Sequence, residues 1–80
     1  ADEGRRYVTE LVLNSHSPSI GKRLADVALP RESLIACVIR GQDILVPGGD
    51  FQLQAADRLI LITLSEHHDR AMKVLAGEGD

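Results

Sequence analysis

The chain has 80 residues, 44% hydrophobic and 26% charged, with 2% aromatic, which is one domain's length and an aliphatic core. Nine basic side chains stand against twelve acidic ones for a net charge of −3, and no cationic run is longer than Arg5-Arg6. That excludes a generic nucleic-acid binder, which needs a clustered basic face or aromatic platforms for bases, and leaves room for a small anion held by one or two cations.

Charged, glycine-containing stretches at residues 1–6 and 77–80 read as linker and tail around a domain of residues 7–76. Tyr7 to Leu13 carries apolar residues on both faces and is the first predicted strand, expected well inside the sheet. The polar turn 14–18 leads to Ile20–Val27, where Ile20, Leu24 and Val27 recur at helical spacing behind a Ser19 cap, so a short helix is predicted. Leu29-Pro30 ends it, because a residue before proline is pushed out of helical backbone. Leu34 to Arg40 is the second strand, Arg40 to Asp43 a tight turn, and Ile44 to Val46 the third strand.

Pro47-Gly48-Gly49-Asp50 breaks that run, Phe51 to Leu53 reads as a short strand, and a small-residue turn leads to the aliphatic run Leu59–Ile62. That run shows no polar alternation, so it is expected to be covered on both faces, with the other strands assembled around it. Ser65 to Leu75 closes the chain as a helix, with Lys73 in its last turn and Gly77 at its end. The order β, short α, β, β, short β, β, α, with tight turns between central strands, gives an α+β domain with a small, mostly antiparallel sheet.

Pro47, Gly49, Asp50, Leu53, Ala56, Asp57 and Leu59 follow a Pro-x-Gly-Asp-x-x-Leu-x-x-Gly-Asp-x-Leu pattern, except that Ala56 stands at its second glycine. With Gly21-Lys22 through Leu29-Pro30 and the Arg40-Gly41 turn, this ordered set resembles the C-terminal regulator-of-potassium-conductance domain, RCK_C or TrkA-C, over residues 8 to about 75. Alanine tolerates positive φ poorly, so the second turn is expected to differ locally. Gly21-Lys22 is not a phosphate loop, since the GxxxxGK[ST] spacing is absent.

Catalytic machinery is not visible. Ser15, Ser17, Ser19, Ser33 and Ser65 fall in turns or caps, and Cys37, the single cysteine, reads as a small buried hydrophobe. His16, His67 and His68 lack metal-ligand spacing, and adjacent His67 and His68 cannot face one way on a helix. Asp50 and Asp57 read as turn formers that accept backbone N–H bonds, not as calcium ligands. Neither a catalytic residue nor a metal site is assigned, and the chain is not expected to be an enzyme.

The resemblance supplies the functional expectation: a cytoplasmic regulatory domain, at the inner membrane face, of a potassium channel, Trk/Ktr uptake system or cation/proton antiporter. Its ligand would be cyclic di-AMP or another small anion in a cleft between two protomers, and by resemblance Leu34, Ile35 and Arg40 fall on such a cleft. The alternative is a structural dimerisation module of a membrane transporter with no ligand of its own. A homodimer is expected either way, because the second strand is apolar on both faces and 80 residues cannot cover it twice.

Overall fold

A computed structural model describes residues 4–77. Expectations for residues 1–3 of the linker and 78–80 of the tail lie outside the described residues. Four strands, β1 (Arg6–Val12), β2 (Leu34–Arg40), β3 (Asp43–Leu45) and β4 (Arg58–Leu64), form one antiparallel sheet in the order β1-β4-β2-β3. A 3₁₀ turn (Ser65–His67) leads into helix α1 (His68–Ala76). The fold is α+β, as the pattern implied.

β4 is the pairing centre, with β1 on one side and β2 on the other. Its inward residues Leu59, Leu61 and Thr63 are buried, while Ile60 and Ile62 are only half-buried, so its second face is not covered within the chain. β1 is an edge strand, not an inner one, and its outward residue Val8 is 70% exposed. The apolar residues on its second face therefore reflect a bare sheet surface.

A one-residue bulge corrects the face pattern of β2. Ile35 opposes Leu61 and Cys37 opposes Ile60, so Ala36 is the extra residue. Ile35 and Val38, three apart, thereby both enter the core with Leu11, Leu13, Leu59 and Leu61. Strict alternation would have put Ile35 and Val38 on opposite faces. The same slip turns Cys37 outward, half-buried, and not into the core as its neighbours in sequence suggested.

The helix expected over Ile20–Val27 is a single 3₁₀ turn, Leu24–Asp26. Its backbone donors are spent elsewhere: the N–H groups of Gly21, Leu24 and Ala25 donate to Leu53 O, Phe51 O and Gly49 O at 2.8–2.9 Å. Leu53 N–H returns a bond to Lys22 O at 3.0 Å. The predicted Phe51–Leu53 strand is the other half of this pairing, reduced to one bridge between Arg23 and Gln52. Helical spacing at Ile20, Leu24 and Val27 thus reports burial against a neighbouring segment, not a helix.

Ser19 caps no N-terminus. It is buried, and its Oγ donates to Val74 O at 2.8 Å, while Ser17 Oγ donates to Leu75 O. Both hydroxyls satisfy carbonyls in the last turn of α1, which lack intrahelical partners. Gly77 closes that helix in left-handed backbone (φ 73°), donating to Lys73 O at 3.0 Å. A Cβ there would also lie 3.2 Å from Pro18 Cδ, so glycine is required by conformation and by space.

Candidate ligand site

The residues that the resemblance put on a ligand cleft are dispersed along β2. Leu34 starts the strand on the outward face, 59% exposed. Ile35 is buried in the core, and Arg40 ends the strand, at most about 20 Å from Leu34 at 3.3–3.4 Å per residue. Within one chain they form no single cluster.

Arg40 has a structural partner. Its Nε and Nη2 donate to the two carboxylate oxygens of Asp57, each at 2.8 Å, and Nη2 also donates to Gln52 O at 3.0 Å. Its guanidinium carbon lies 4.8 Å from the Phe51 ring centroid, within cation–π range. The Arg40 side chain is 33% exposed and that of Asp57 1%, so the pair bridges surface and core. The Asp57 carboxylate also accepts from Gln54 N–H at 2.9 Å, the turn bond expected of it. Burial by itself would push the Asp57 carboxyl up, but the Arg40 and Gln54 hydrogen bonds outweigh it and the net shift is down. The Asp57 hydrogen bond in turn raises Arg40.

Asp50 does not behave as its sequence twin. Its side chain is 95% exposed and is reached by Arg23 Nη1 at 3.4 Å, while Phe51 N–H donates to Gly48 O instead. The turn closes on a backbone carbonyl, so the expected Asp50 turn bond is absent. Ala56 holds the left-handed conformation (φ 73°) that its glycine-type position requires, and its N–H donates to Leu13 O at 2.7 Å. Tertiary pairing therefore keeps the turn geometry despite the methyl group. Of the histidines, His67 shares a 3.0 Å bond between Nδ1 and Arg31 O. No group of three or more His, Cys, Asp or Glu among the described residues is placed to hold a metal ion.

The outward face of the sheet is the broad unpartnered surface. Register places Val8, Ile62 and Leu34 in one row, Glu10, Ile60 and Cys37 in the next, and Val12, Arg58, Ile39 and Ile44 in a third. Glu10 and Arg58 pair across rows at 3.1 Å, both about half-exposed. At the third row the surface dips into an open depression of about 320 Å³ lined by Val12, Ile39, Gly41, Ala56 and Arg58. None of these was singled out from sequence as a ligand residue. The available signal was strand alternation: with Leu59 and Leu61 inward, Arg58 and Ile60 must point outward.

A four-stranded antiparallel sheet with one helix-covered face and one bare, largely apolar face defines a small α+β domain. The sequence profile of the TrkA-C domain matches residues 8–76, and the chain belongs to that family. A Trk system potassium uptake protein TrkA homolog of Archaeoglobus fulgidus is 36% identical over 59 residues, covering 74% of this chain and 13% of the relative. TrkA of Mycobacterium tuberculosis is 26% identical over 72 residues, covering 90% of this chain and 33% of the relative. The chain thus spans a third or less of these relatives. A structure described as an RCK domain with cda superimposes with a TM-score of 0.73 at 25% identity, covering 85% of this chain and 96% of that one. The RCK C domain of the potassium transport protein KtrA, in complex with cyclic diadenosine monophosphate, superimposes with a TM-score of 0.69 at 20% identity, covering 82% and 79%.

Proposed function

We propose that this chain is a ligand-sensing regulatory domain of a potassium transport system, without catalytic activity, acting as a homodimer on the cytoplasmic side. The observation that carries the reading is the TrkA-C match over residues 8–76, together with a fold shared with RCK C domains. Two of those domains are described with cda or cyclic diadenosine monophosphate, which names a first ligand class to try. The bare apolar sheet face supports the dimer, because exposed contiguous apolar surface marks an interface. A ligand bound between two copies would favour one mutual orientation and pass that bias to the transporter. The transporter classes that fit this reading are a channel, a Trk/Ktr uptake system and a cation/proton antiporter.

Calorimetric titration with cyclic di-AMP, with sedimentation before and after, tests this. Saturable binding at one ligand per two chains supports the reading, and a monomer that binds nothing overturns it. The commitment of Arg40 to Asp57 favours a second reading, a structural dimerisation module without a ligand. Its signature is a dimer that no nucleotide perturbs.

A further inference from the structure

We infer that the free edge of β1 is an interaction surface whose occupant is an extended strand, the β1 of a second copy, paired antiparallel about a two-fold axis at Val8. This contact uses the edge of the sheet, not the face offered to the proposed homodimer, and it involves no ligand.

β1 and β3 are the two edges of the sheet. β3 is blunted, being three residues long and running into Pro47 two residues beyond its end. β1 carries none of the usual protections. It is seven residues long, holds no proline, keeps an unbroken register with β4, and turns the uncharged Tyr7, Thr9 and Leu11 inward. The bonds at its two ends fix where its backbone groups point. Ser65 N–H donates to Arg5 O at 2.9 Å, and Leu13 N–H donates to Asp57 O at 2.8 Å. Antiparallel pairs alternate, so the odd residues bond to β4 while Arg6, Val8, Glu10 and Val12 aim their N–H and C=O groups away from the sheet. No strand of the described residues pairs with that row. Only another extended strand matches its spacing.

The side chains of the same residues choose the strand. Two β1 strands oppose their free groups only in registers that set even residues against even. Centred on Arg6 or on Glu10, such a register puts like charges opposite one another, which is destabilising. Centred on Tyr7 or on Thr9, it puts each charge opposite an uncharged residue. Centred on Val8, it puts Arg6 opposite Glu10 on both sides of the axis and Val8 opposite Val8. Each of these charges already has a half-exposed partner within its own chain: Glu32 for Arg6, and Arg58 for Glu10 at 3.1 Å. Edge pairing would join the two pairs into a run of alternating sign, Glu32 and Arg6 of one copy with Glu10 and Arg58 of the other. Such a network gains more than isolated surface pairs do. The row of Val8, Ile62 and Leu34 would continue into its counterpart, giving Val8, 70% exposed in the single chain, an apolar neighbour.

The test follows self-association of the 80-residue chain by sedimentation and by amide hydrogen exchange. As concentration rises, the amides of Arg6, Val8 and Glu10 should become protected, while those of Tyr7, Thr9 and Leu11 are protected throughout by β4. Arg6→Glu alone and Glu10→Arg alone each set like charges across the axis, and each should weaken self-association about tenfold or more. Mixed one to one, the two variants are complementary at both positions, and the mixture should associate at least as tightly as the parent. A folding defect in either variant would not be rescued by mixing. A mixture that associates no better than its components overturns the inference. So does protection of the three edge amides at every concentration, because a segment of the same chain would then cover the edge. Self-association that leaves these amides unprotected belongs to the sheet face: the edge contact falls and the homodimer reading stands. A strict monomer up to millimolar concentration overturns both.

Discussion

Arg40 and Asp57 tie the end of β2 to the turn that feeds β4, and the cost of losing either is set by what the other is left facing. Asp57 is 1% exposed, so Arg40→Ala would leave a carboxylate buried with one remaining backbone donor, Gln54 N–H. We expect Arg40→Ala to cost about 2 kcal/mol, allowing for the partial exposure of Arg40, measurable by urea denaturation. A strand-end arginine in open water would have cost almost nothing, so the size of the effect separates the two situations. The pH dependence follows from the same pair. The folded-state Asp57 carboxyl is held below its unfolded value of about 3.9, so its stabilisation is complete at neutral pH. It is lost as pH falls through the folded value, and acid unfolding should be correspondingly shallower in Asp57→Asn.

Ala56 carries the opposite kind of cost. Its φ of 73° penalises an L side chain by roughly 1–2 kcal/mol, whereas glycine adopts the conformation freely and loses less than that in unfolded-chain entropy. Ala56→Gly should therefore stabilise the domain by about 0.5–1 kcal/mol, and a lower melting temperature would refute the strain argument. Asp50→Ala, by contrast, should stay within about 0.5 kcal/mol, because its side chain is solvated.

At the scale of elements, α1 is short, and its position depends on the loop that carries Ser17 and Ser19 as much as on its own sequence. Ala71 and Leu75 bury its inner face, but its last carbonyls are held by Ser17 and Ser19 from the other end of the chain. Ser19→Ala would leave Val74 O without that donor inside a partly buried site. The expected cost is about 1–2 kcal/mol, with faster hydrogen exchange confined to the end of α1. If exchange rose equally across β4, the serine would be part of the core and not a tether. The 21–25 segment shows the same dependence on a distant partner, since its backbone bonds run to residues 49–53.

For the whole molecule, the sheet has one face filled by α1 and the 14–29 loop and one face open. Val8, Leu34 and Ile44 are 70%, 59% and 72% exposed on that open side. A second copy laid on this face would bury them without changing the fold of either chain. Val8→Glu should leave the melting curve of the monomer nearly unchanged and shift the dimer to monomer in sedimentation at micromolar concentration. A dimer that tolerates the charge would have to use another surface.

The sequence alone determined the strands of the sheet, the C-terminal helix and its glycine stop, because each is encoded within a short window. Aliphatic runs bounded by Gly, Pro and Asp need no distant information, and the ordered motifs within 8–76 carried the family. What only the tertiary structure decided lies where backbone groups find partners far along the chain. The spacing of Ile20, Leu24 and Val27 could not reveal that residues 49–53 would take their hydrogen bonds. The alternation in β2 could not reveal a bulge at Ala36, which depends on the register against β4. Asp50 and Asp57 occupy equivalent places in two similar turns, yet only Asp57 is buried beneath a bidentate arginine, because strand pairing brings Arg40 over it and leaves Asp50 in water with a single 3.4 Å contact to Arg23.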